Sequence, residues 1–333
     1  MSSTADAWLL IASTAARASL APLVDAHAAR RPVRVFAEEE DWRGALDDAA
    51  GVLRVTQGRR APRNALPGLF LTAPSGRRVP AGCMPQSDAA TLRRYALAAA
   101  AVQRRPPGPV PVALLAQWDD QALRTARRTA DLLRAGGDLR LFEWGADRII
   151  RRDLLAALRG GPGLALYFGH GRPYGWSGYH GLHIRHLQHA VGAPLGAIVS
   201  LTCNTAARSR GGRYAFAEQV ALHGIAAAAL GAIEPTRTAS NWRWGLALCR
   251  ELARDPHRPI GELLLRAGEG PSGDWLGEAA YRLIGDPLAM PIGAMGALET
   301  CRSVHAPDPG RWPAGGLSSA AQAQGPLNLS RCW

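Results

Sequence analysis

Two segments in the middle of the chain carry the residue types of a thiol-based active site. Residues 163–171 are Gly-Leu-Ala-Leu-Tyr-Phe-Gly-His-Gly, and residues 195–204 are Leu-Gly-Ala-Ile-Val-Ser-Leu-Thr-Cys-Asn. In each segment an apolar run that predicts a buried strand leads to a reactive residue, His170 in the first and Cys203 in the second. A thiolate is a nucleophile, and an imidazole beside it can generate it. The two segments therefore indicate a cysteine hydrolase.

A glycine directly follows the histidine and suits the same chemistry. Gly171 lets a substrate approach the backbone closely, and its N–H can point at a developing oxyanion. The alternative is that Cys203 is only a small core residue at the end of a strand, because free cysteine is often buried. The combination of Cys203, His170 and Gly171 at two neighbouring strand ends favours catalysis.

The surrounding chain alternates between strand-like and helical patterns. Strands are predicted at 7–13, 33–36, 51–55, 69–72, 110–116, 139–142, 163–168, 195–201 and 225–231, and helices at about 14–29, 87–104, 120–135, 151–159, 213–223, 242–253 and 259–267. This alternation predicts an α/β protein with a mainly parallel sheet covered by helices on both faces. Residues 79–85, Val-Pro-Ala-Gly-Cys-Met-Pro, are interpreted as a turn-rich bridge.

The clearest break in the chain is Arg-Pro-Pro-Gly-Pro at 105–109. We therefore expect two subdomains, an N-terminal α/β subdomain at 1–104 and a catalytic subdomain at 110–300, joined by this linker. Residues 301–333 are rich in Pro, Gly, Ser, Ala and Gln and contain few large apolar side chains. That composition predicts a poorly ordered tail.

The net charge is strongly positive, but its distribution argues against nucleic acid as a partner. The 39 basic residues are all arginine, against 27 acidic residues, which gives a formal net charge of +12. A chain without lysine that is rich in Ala, Arg, Gly and Pro is typical of a GC-biased, bacterial genome. The arginines are scattered and form no basic stripe with interleaved aromatic residues. A nucleic-acid binder would need such a contiguous face and strongly salt-dependent binding.

The cysteines and the apolar runs indicate the compartment. Five cysteines, an odd number without a CxxC pair, support neither a disulfide framework nor a zinc ribbon. The first residues lack the basic region of a signal peptide, and no apolar run approaches the roughly eighteen residues that cross a bilayer. We expect a reduced, cytoplasmic protein without a membrane partner.

The order of the motifs resembles the gingipain family of cysteine peptidases, which belongs to the caspase-like clan. The resemblance rests on the Gly-His-Gly motif around His170, on Trp176 after it, on the strand that ends before Cys203, and on Tyr-Arg-Leu-Ile-Gly-Asp-Pro-Leu at 281–288. It covers roughly residues 5–295. It implies a caspase-like fold in which His170 and Cys203 form the catalytic dyad.

Asp119 is a third catalytic candidate. It follows the predicted strand at 110–116, where the family often places an acidic residue that orients the histidine. With Asp120 beside it, Asp119 is equally well explained as a helix N-cap. Two further acidic residues, Glu218 and Asp286, are interpreted as structural, the first in an ion pair and the second at a turn.

Substrate recognition is predicted less sharply than catalysis. The resemblance implies that Trp176 and Trp242 line the cleft, although tryptophan also anchors protein cores. It also implies a basic side chain before the scissile bond, which needs an acidic group in the pocket. Arg172 and Arg208, close after the two reactive residues, could instead favour an acidic side chain.

Four histidines recur at every third position after the Gly-His-Gly motif: His180, His183, His186 and His189. Histidines three residues apart on a helix can share a metal ion. No Cys, Asp or Glu lies in this window to complete a metal site. We therefore interpret them as surface histidines of a short helix and predict no metal and no other cofactor.

These residues together predict a cysteine endopeptidase that acts through a thioester intermediate on protein or peptide substrates. A regulatory protein partner is conceivable, but no motif identifies one. The alternative is a caspase-like interaction module that has lost activity. The presence of both Cys203 and His170 argues against that alternative.

Overall fold

The computed structural model of the protein describes residues 6–56, 66–136, 138–189, 192–209, 212–269 and 278–292. The strands are β1 Ala7–Ile11, β2 Val33–Phe36, β3 Ala49–Thr56, β4 Phe70–Thr72, β5 Arg78–Pro85, β6 Val110–Ala116, β7 Leu139–Gly145, β8 Leu164–Phe168, β9 Gly171–Arg172, β10 Gly175–Trp176, β11 Leu182–His183, β12 Leu195–Leu201, β13 Ala226–Ala232 and β14 Tyr281–Gly285. The helices are α1 Thr14–Ala28, α2 Ala89–Gln103, α3 Asp120–Arg134, α4 Arg151–Leu158, α5 Gly178–Gly181, α6 Ile184–Leu187, α7 Phe216–Leu222, α8 Thr238–Arg254 and α9 Ile260–Gly268. Short 3₁₀ helices lie at Arg43–Asp48 and Glu278–Ala280.

One large mixed sheet runs through the molecule in the order β2-β1-β3-β5-β14-β13-β12-β8-β6-β7, with β4 paired antiparallel to β5. Neighbours along this order are parallel except β13 and β14, which are antiparallel. The sheet therefore consists of two sets of strands that run in opposite directions and meet between β13 and β14. A small antiparallel sheet, β11-β10-β9, follows β8.

Helices cover the large sheet on both faces, as the alternating pattern predicted. In one group α1 packs against α2 and α2 against α7, and in the other α3 packs against α8 and α8 against α9. Strands between two such layers have apolar side chains in both directions, and β6, β8 and β12 are accordingly buried along their whole length. No helix within the described ranges is long and apolar enough to cross a membrane.

Two central strands were not predicted from the sequence. The segment interpreted as a turn-rich bridge is β5, which lies between β3 and β14. Its Gly82 is needed for close packing, because a Cβ there would lie 1.9 Å from the carbonyl oxygen of Gly285. The 281–288 motif contains the other missed strand, β14. The helix predicted from 242 begins earlier, at Thr238.

The predicted linker at 105–109 joins α2 to β6 and is anchored by its first side chain. The guanidinium of Arg105 is buried, and it donates to the carbonyl oxygens of Ile292 at 3.0 Å, of Gly161 at 3.4 Å and of Pro194. Burial lowers the pKa of Arg105 to about 10. Since β14 pairs with both β5 and β13, the sheet continues across the predicted boundary. The division into subdomains stays a prediction, and the predicted tail at 301–333 lies outside the described residues.

A fully buried carboxylate joins the two ends of the described chain. Asp286, directly after β14, accepts hydrogen bonds from Trp8 Nε1 at 3.2 Å, from Gln103 Nε2 at 2.8 Å and from the backbone N–H of Leu288 at 3.1 Å. The Nε2 atom of His27 lies 2.9 Å from its Oδ2. Burial raises the pKa of Asp286, but the charge and hydrogen bond of His27 and the other donors outweigh it and hold the pKa below its usual value. The predicted turn residue therefore organises a buried polar network.

We predict that Asp286→Asn lowers the free energy of unfolding by roughly 3 kcal/mol, because it removes one partner of a buried ionic network. The folded-state pKa of Asp286 is depressed, so its contribution is present above about pH 4 and is lost as the pH falls below the folded-state pKa. Urea unfolding at pH 7 and in acid measures both effects. The matched control is Asp25→Asn, an exposed carboxylate of α1, which should change stability by less than about 0.5 kcal/mol. Equal effects of the two substitutions would contradict the prediction.

Candidate functional site

The register between β8 and β12 sets the candidate site. Phe168 at the end of β8 lies opposite Leu201 at the end of β12, and the strands are parallel. His170 and Cys203 each follow two residues after that last pair. The two residues therefore leave the same edge of the sheet at equivalent positions on adjacent strands, which is the juxtaposition the sequence predicted.

Three hydrogen bonds fix the backbone of His170 while its side chain is exposed. Its N–H donates to Gln117 Oε1 at 2.8 Å, and its carbonyl accepts from Tyr167 Oη at 3.1 Å and from the Ser177 N–H at 2.9 Å. Within the described structure no hydrogen bond joins the imidazole to the Cys203 thiol or to Asp119. Such contacts are often long in the absence of substrate and tighten only in its presence.

Gly171 lies directly against the segment that carries the cysteine. A Cβ atom built on it would lie 2.6 Å from Thr202 Cγ2 and 2.7 Å from the carbonyl oxygen of Cys203. Real Cβ atoms do not approach backbone oxygens so closely, and only glycine fits. The two loops after β8 and β12 are thus in contact through this glycine.

The half-buried thiol of Cys203 faces the loop after β13. The backbone N–H of Thr236 donates to Sγ at 3.3 Å, and the carbonyl and hydroxyl oxygens of Thr236 each lie 3.6 Å from the sulfur. Asn204, the next residue, has a left-handed backbone with φ of 61° and turns the chain away from the strand.

The loop between Cys203 and α7 is held by a buried ion pair. Arg208 Nε lies 3.0 Å from both carboxylate oxygens of Glu218, and the backbone N–H of Ala215 donates to Glu218 Oε2 at 2.8 Å. The structural interpretation of Glu218 is confirmed. The suggestion that Arg208 attracts an acidic substrate is wrong, because this guanidinium is buried against Glu218. Arg172 is exposed, and its Nη1 donates to Tyr174 Oη at 2.9 Å.

Asp119 caps a helix and also lines a small pocket beside His170. Its Oδ1 accepts from the backbone N–H of Ala122 at 2.9 Å, at the N-terminus of α3. The pocket is lined by Asp119, Gln121, Ala122, Thr125, Phe168, Gly169, His170, Leu201, Thr238, Asn241 and Trp242. Asp119 is the one carboxylate among these residues. The cap interpretation thus matches the geometry, and Asp119 also belongs to the lining of this pocket.

The two candidate tryptophans have different surroundings. Trp242, half-buried, lines the pocket beside His170. Trp176 is 2% exposed, stacks on Tyr167 with ring centroids 4.4 Å apart, and donates from Nε1 to Ser200 Oγ at 2.9 Å. A ring packed in this way offers no free face to a substrate. The family resemblance implied that Trp176 lines the cleft, but the structure places this ring in the core.

Three residues that organise this edge were not predicted from the sequence. Gln117 and Tyr167 hold the backbone of His170, and Thr236 contacts the thiol. Gln117 could have been found, because a polar side chain directly after β6 falls at the same sheet edge as Asp119. Thr236 follows β13 by several residues and gives no local signal.

The spaced histidines do not share one helix. His180 lies in α5, His183 in β11, His186 in α6 and His189 after it. Within the ranges that the structure covers, no group of three or more His, Cys, Asp or Glu side chains is arranged to hold a metal ion.

Cys203 differs from the other cysteines that the structure describes. Cys83 and Cys249 are fully buried, and burial raises the pKa of both thiols. Cys203 is partly accessible. Of these three thiols, only Cys203 can meet a solvent-borne reactant without unfolding.

Solved structures with the same fold include peptidases. The Arg-specific cysteine proteinase gingipain R (RgpB) aligns with a TM-score of 0.68 at 13% identity, over 87% of this chain and 78% of its own. The complex of the pro- and mature domains of RgpB from Porphyromonas gingivalis aligns with a TM-score of 0.65 at 14% identity, over 85% of this chain and 79% of its own. A structure described as a protease gives 0.67 at 13% identity, over 88% and 80%. These likenesses confirm the predicted caspase-like α/β fold.

No curated protein has significant sequence similarity to the chain. A family model does match, and it covers residues 125–292, just over half of the chain, including both predicted reactive residues. The predicted gingipain resemblance is thereby confirmed, and the chain belongs to peptidase family C25.

Proposed function

We propose that this protein is a cysteine endopeptidase with Cys203 as nucleophile and His170 as its acid–base partner. The observation that carries the proposal is the register of β8 and β12, which brings a histidine and a cysteine to adjacent strand ends in a chain of a peptidase family. The exposed imidazole and the partly accessible thiol are both within reach of a substrate.

In the proposed reaction, the Cys203 thiolate forms a bond to the carbonyl carbon of the scissile peptide. His170 gives a proton to the leaving amine, which departs as the carbon–nitrogen bond breaks and a thioester remains. Water, deprotonated by the same imidazole, then attacks the thioester and releases the acid and the thiol. The Thr236 N–H, 3.3 Å from Sγ, helps to hold the sulfur in place at the start of this cycle.

Backbone N–H groups of Gly171 and Cys203 are the proposed oxyanion donors. The Ser177 N–H donates to the His170 carbonyl while the His170 N–H donates to Gln117, so residues 170 and 177 share one hydrogen bond of the antiparallel ladder. The next pair, Gly171 with Trp176, is then a non-hydrogen-bonded one, and the Gly171 N–H is not used by the ladder. A donor held in place and left without a ladder partner is suited to an oxyanion.

We further propose that the pocket beside His170 receives a basic side chain of the substrate. Asp119 supplies the one carboxylate of the lining and Thr238 a hydroxyl group. Trp242 supplies an aromatic ring, and the Arg128 guanidinium already lies over it, 5.8 Å from the ring centroid. A carboxylate and an aromatic face suit a guanidinium, which forms bidentate hydrogen bonds and stacks on rings. The similarity in fold to an Arg-specific proteinase agrees with this preference.

We expect Cys203→Ala and His170→Ala each to lower peptide hydrolysis by roughly three orders of magnitude or more, since each removes a group that makes or breaks bonds. Their melting temperatures should stay close to that of the unaltered protein. His257→Ala, at a half-buried histidine away from the pocket, is the control and should retain activity. A thiol-alkylating probe followed by mass spectrometry should modify Cys203 before the buried Cys83 and Cys249.

Hydrolysis that survives in Cys203→Ala would exclude this nucleophile. A folded, unaltered protein that hydrolyses no peptide would favour the inactive interaction module instead.

Asp119→Asn should lower kcat/KM for substrates with Arg before the scissile bond by about tenfold to a hundredfold, because a charge-assisted hydrogen bond is lost. Hydrolysis of matched substrates with citrulline, the uncharged counterpart, should change little. The neighbouring Asp120→Asn, exposed and outside the pocket, is the control. If kcat/KM instead falls equally for both substrates, and the fall is in kcat, the role of Asp119 is to orient His170.

Gly171→Ala should lower both stability and turnover. The added methyl group meets Thr202 and the Cys203 carbonyl, and relief of that contact costs about 1–3 kcal/mol and shifts the nucleophile. Thermal unfolding and peptide hydrolysis measure the two effects. Gly44→Ala is a matched control, since a Cβ there has no atom within 4 Å. Unchanged turnover in Gly171→Ala would contradict the proposed place of Gly171 beside the reacting carbonyl.

A further inference from the structure

A second depression lies between α4 and the segment that contains α5 and α6. Its volume is about 690 Å³. Its lining contains three arginines and three histidines, namely Arg151, Arg152, Arg159, His180, His186 and His189. Apolar side chains of Ile150, Leu155 and Ala156 complete it. Among the described residues, it shares no lining residue with the pocket beside His170.

The lining of this depression carries positive but no negative side chains. None of the described residues that line it has a carboxylate. Asp153, the acidic residue next in sequence, caps the start of α4 by accepting from the Ile150 N–H at 3.4 Å. It also lies 3.6 Å from Arg152 Nε, but the Arg152 side chain is 85% exposed, so this ion pair is weak. The depression therefore presents an excess of positive charge.

Burial and nearby arginines both lower the pKa of histidines at this depression. Partial burial, and then the charges of Arg151 and Arg185, lower the pKa of His186. Burial, Arg185 and Arg151 act in the same direction on His183, which lies beside it. An anion placed among these groups would remove the repulsion and favour the protonated imidazoles.

The shape of the depression is fixed by an unusual turn. Tyr179 and His180 in α5 both have φ of 57° and ψ of 39°, a left-handed conformation that is uncommon outside glycine. The turn is held because the Tyr179 hydroxyl accepts from the Ala116 N–H at 3.1 Å and donates to the Trp144 carbonyl. Arg151 donates to the His180 carbonyl at 3.0 Å and to that of Gly181 at 3.2 Å. Arg151 and His180 are therefore fixed relative to each other.

The chemistry and size of the depression define the ligand. Guanidinium forks match the oxygen geometry of phosphate groups and bind them bidentately. A volume of about 690 Å³ is typical of sites for small molecules, and its concave form differs from the extended basic face of a nucleic-acid binder. Six cationic or titratable side chains exceed what one phosphate group can contact. We propose that this depression binds a small, soluble anion that carries several phosphate groups, independently of the proposed peptidase activity.

The test is calorimetric titration of the full chain with inorganic triphosphate, with orthophosphate as a second probe. Replacing two lining residues together, Arg152→Gln and Arg159→Gln, should weaken triphosphate binding at least about tenfold, because two charge-assisted contacts are lost. The control pair, Arg93→Gln and Arg250→Gln, removes the same charge from exposed positions on α2 and α8. It should change the Kd by no more than about twofold. Circular dichroism verifies that all variants are folded.

Several results would overturn the proposal. An equal loss of affinity in both double variants would show nonspecific attraction to a chain of net charge +12. Orthophosphate binding as tightly as triphosphate would exclude a site for several phosphate groups. Sedimentation with phosphatidylcholine vesicles that contain phosphatidylinositol bisphosphate, without binding of free triphosphate, would assign the depression to a membrane surface.

Discussion

The buried carboxylate of Asp286 joins the last described strand to the N-terminal part of the chain, and the rest of the fold depends on this connection. It takes hydrogen bonds from Trp8 in β1 and from Gln103 in α2, and it approaches His27 in α1. A charge taken out of water is stable only when its hydrogen-bonding capacity is filled. The stability of the chain at the end of β14 therefore depends on these partners, and Trp8, His27 and Gln103 all belong to the part of the chain before the linker. Three separate elements are thereby fixed against the last strand.

The opposite directions of the two strand sets explain why the candidate site lies on one edge of the sheet. In the set that contains β6, β8, β12 and β13, all carboxyl ends reach the same edge. The loops after them supply Gln117 and Asp119, His170 and Gly171, Cys203, and Thr236 in turn. Loops at the carboxyl ends of parallel strands are a common location for binding and catalytic groups. The strands of the other set run in the opposite direction, and that set includes β14 and β1, which lead to Asp286 and contain Trp8.

Much of this arrangement could be predicted from the sequence because it is local. Strands such as β8 and β12 are short apolar runs followed by a polar residue, so both their existence and the position of His170 and Cys203 follow from composition. The strand β5 could not be predicted, because its two prolines and Gly82 resemble a turn. Its conformation depends on the close approach of Gly285, which is distant in sequence. The burial of Trp176 could not be predicted either, because it depends on stacking with Tyr167, which the sequence does not reveal.

The position of β14 also sets an order for folding during synthesis. The strands that flank it, β5 and β13, leave the ribosome before it does, and each presents an open edge until residues 281–285 emerge. Open apolar edges are templates for pairing with other chains. A nascent chain that pauses before residue 281 contains both His170 and Cys203 but lacks the strand that joins the two sets. The emergence of this short segment from the ribosome therefore separates a chain with two exposed edges from one whose central sheet can be continuous.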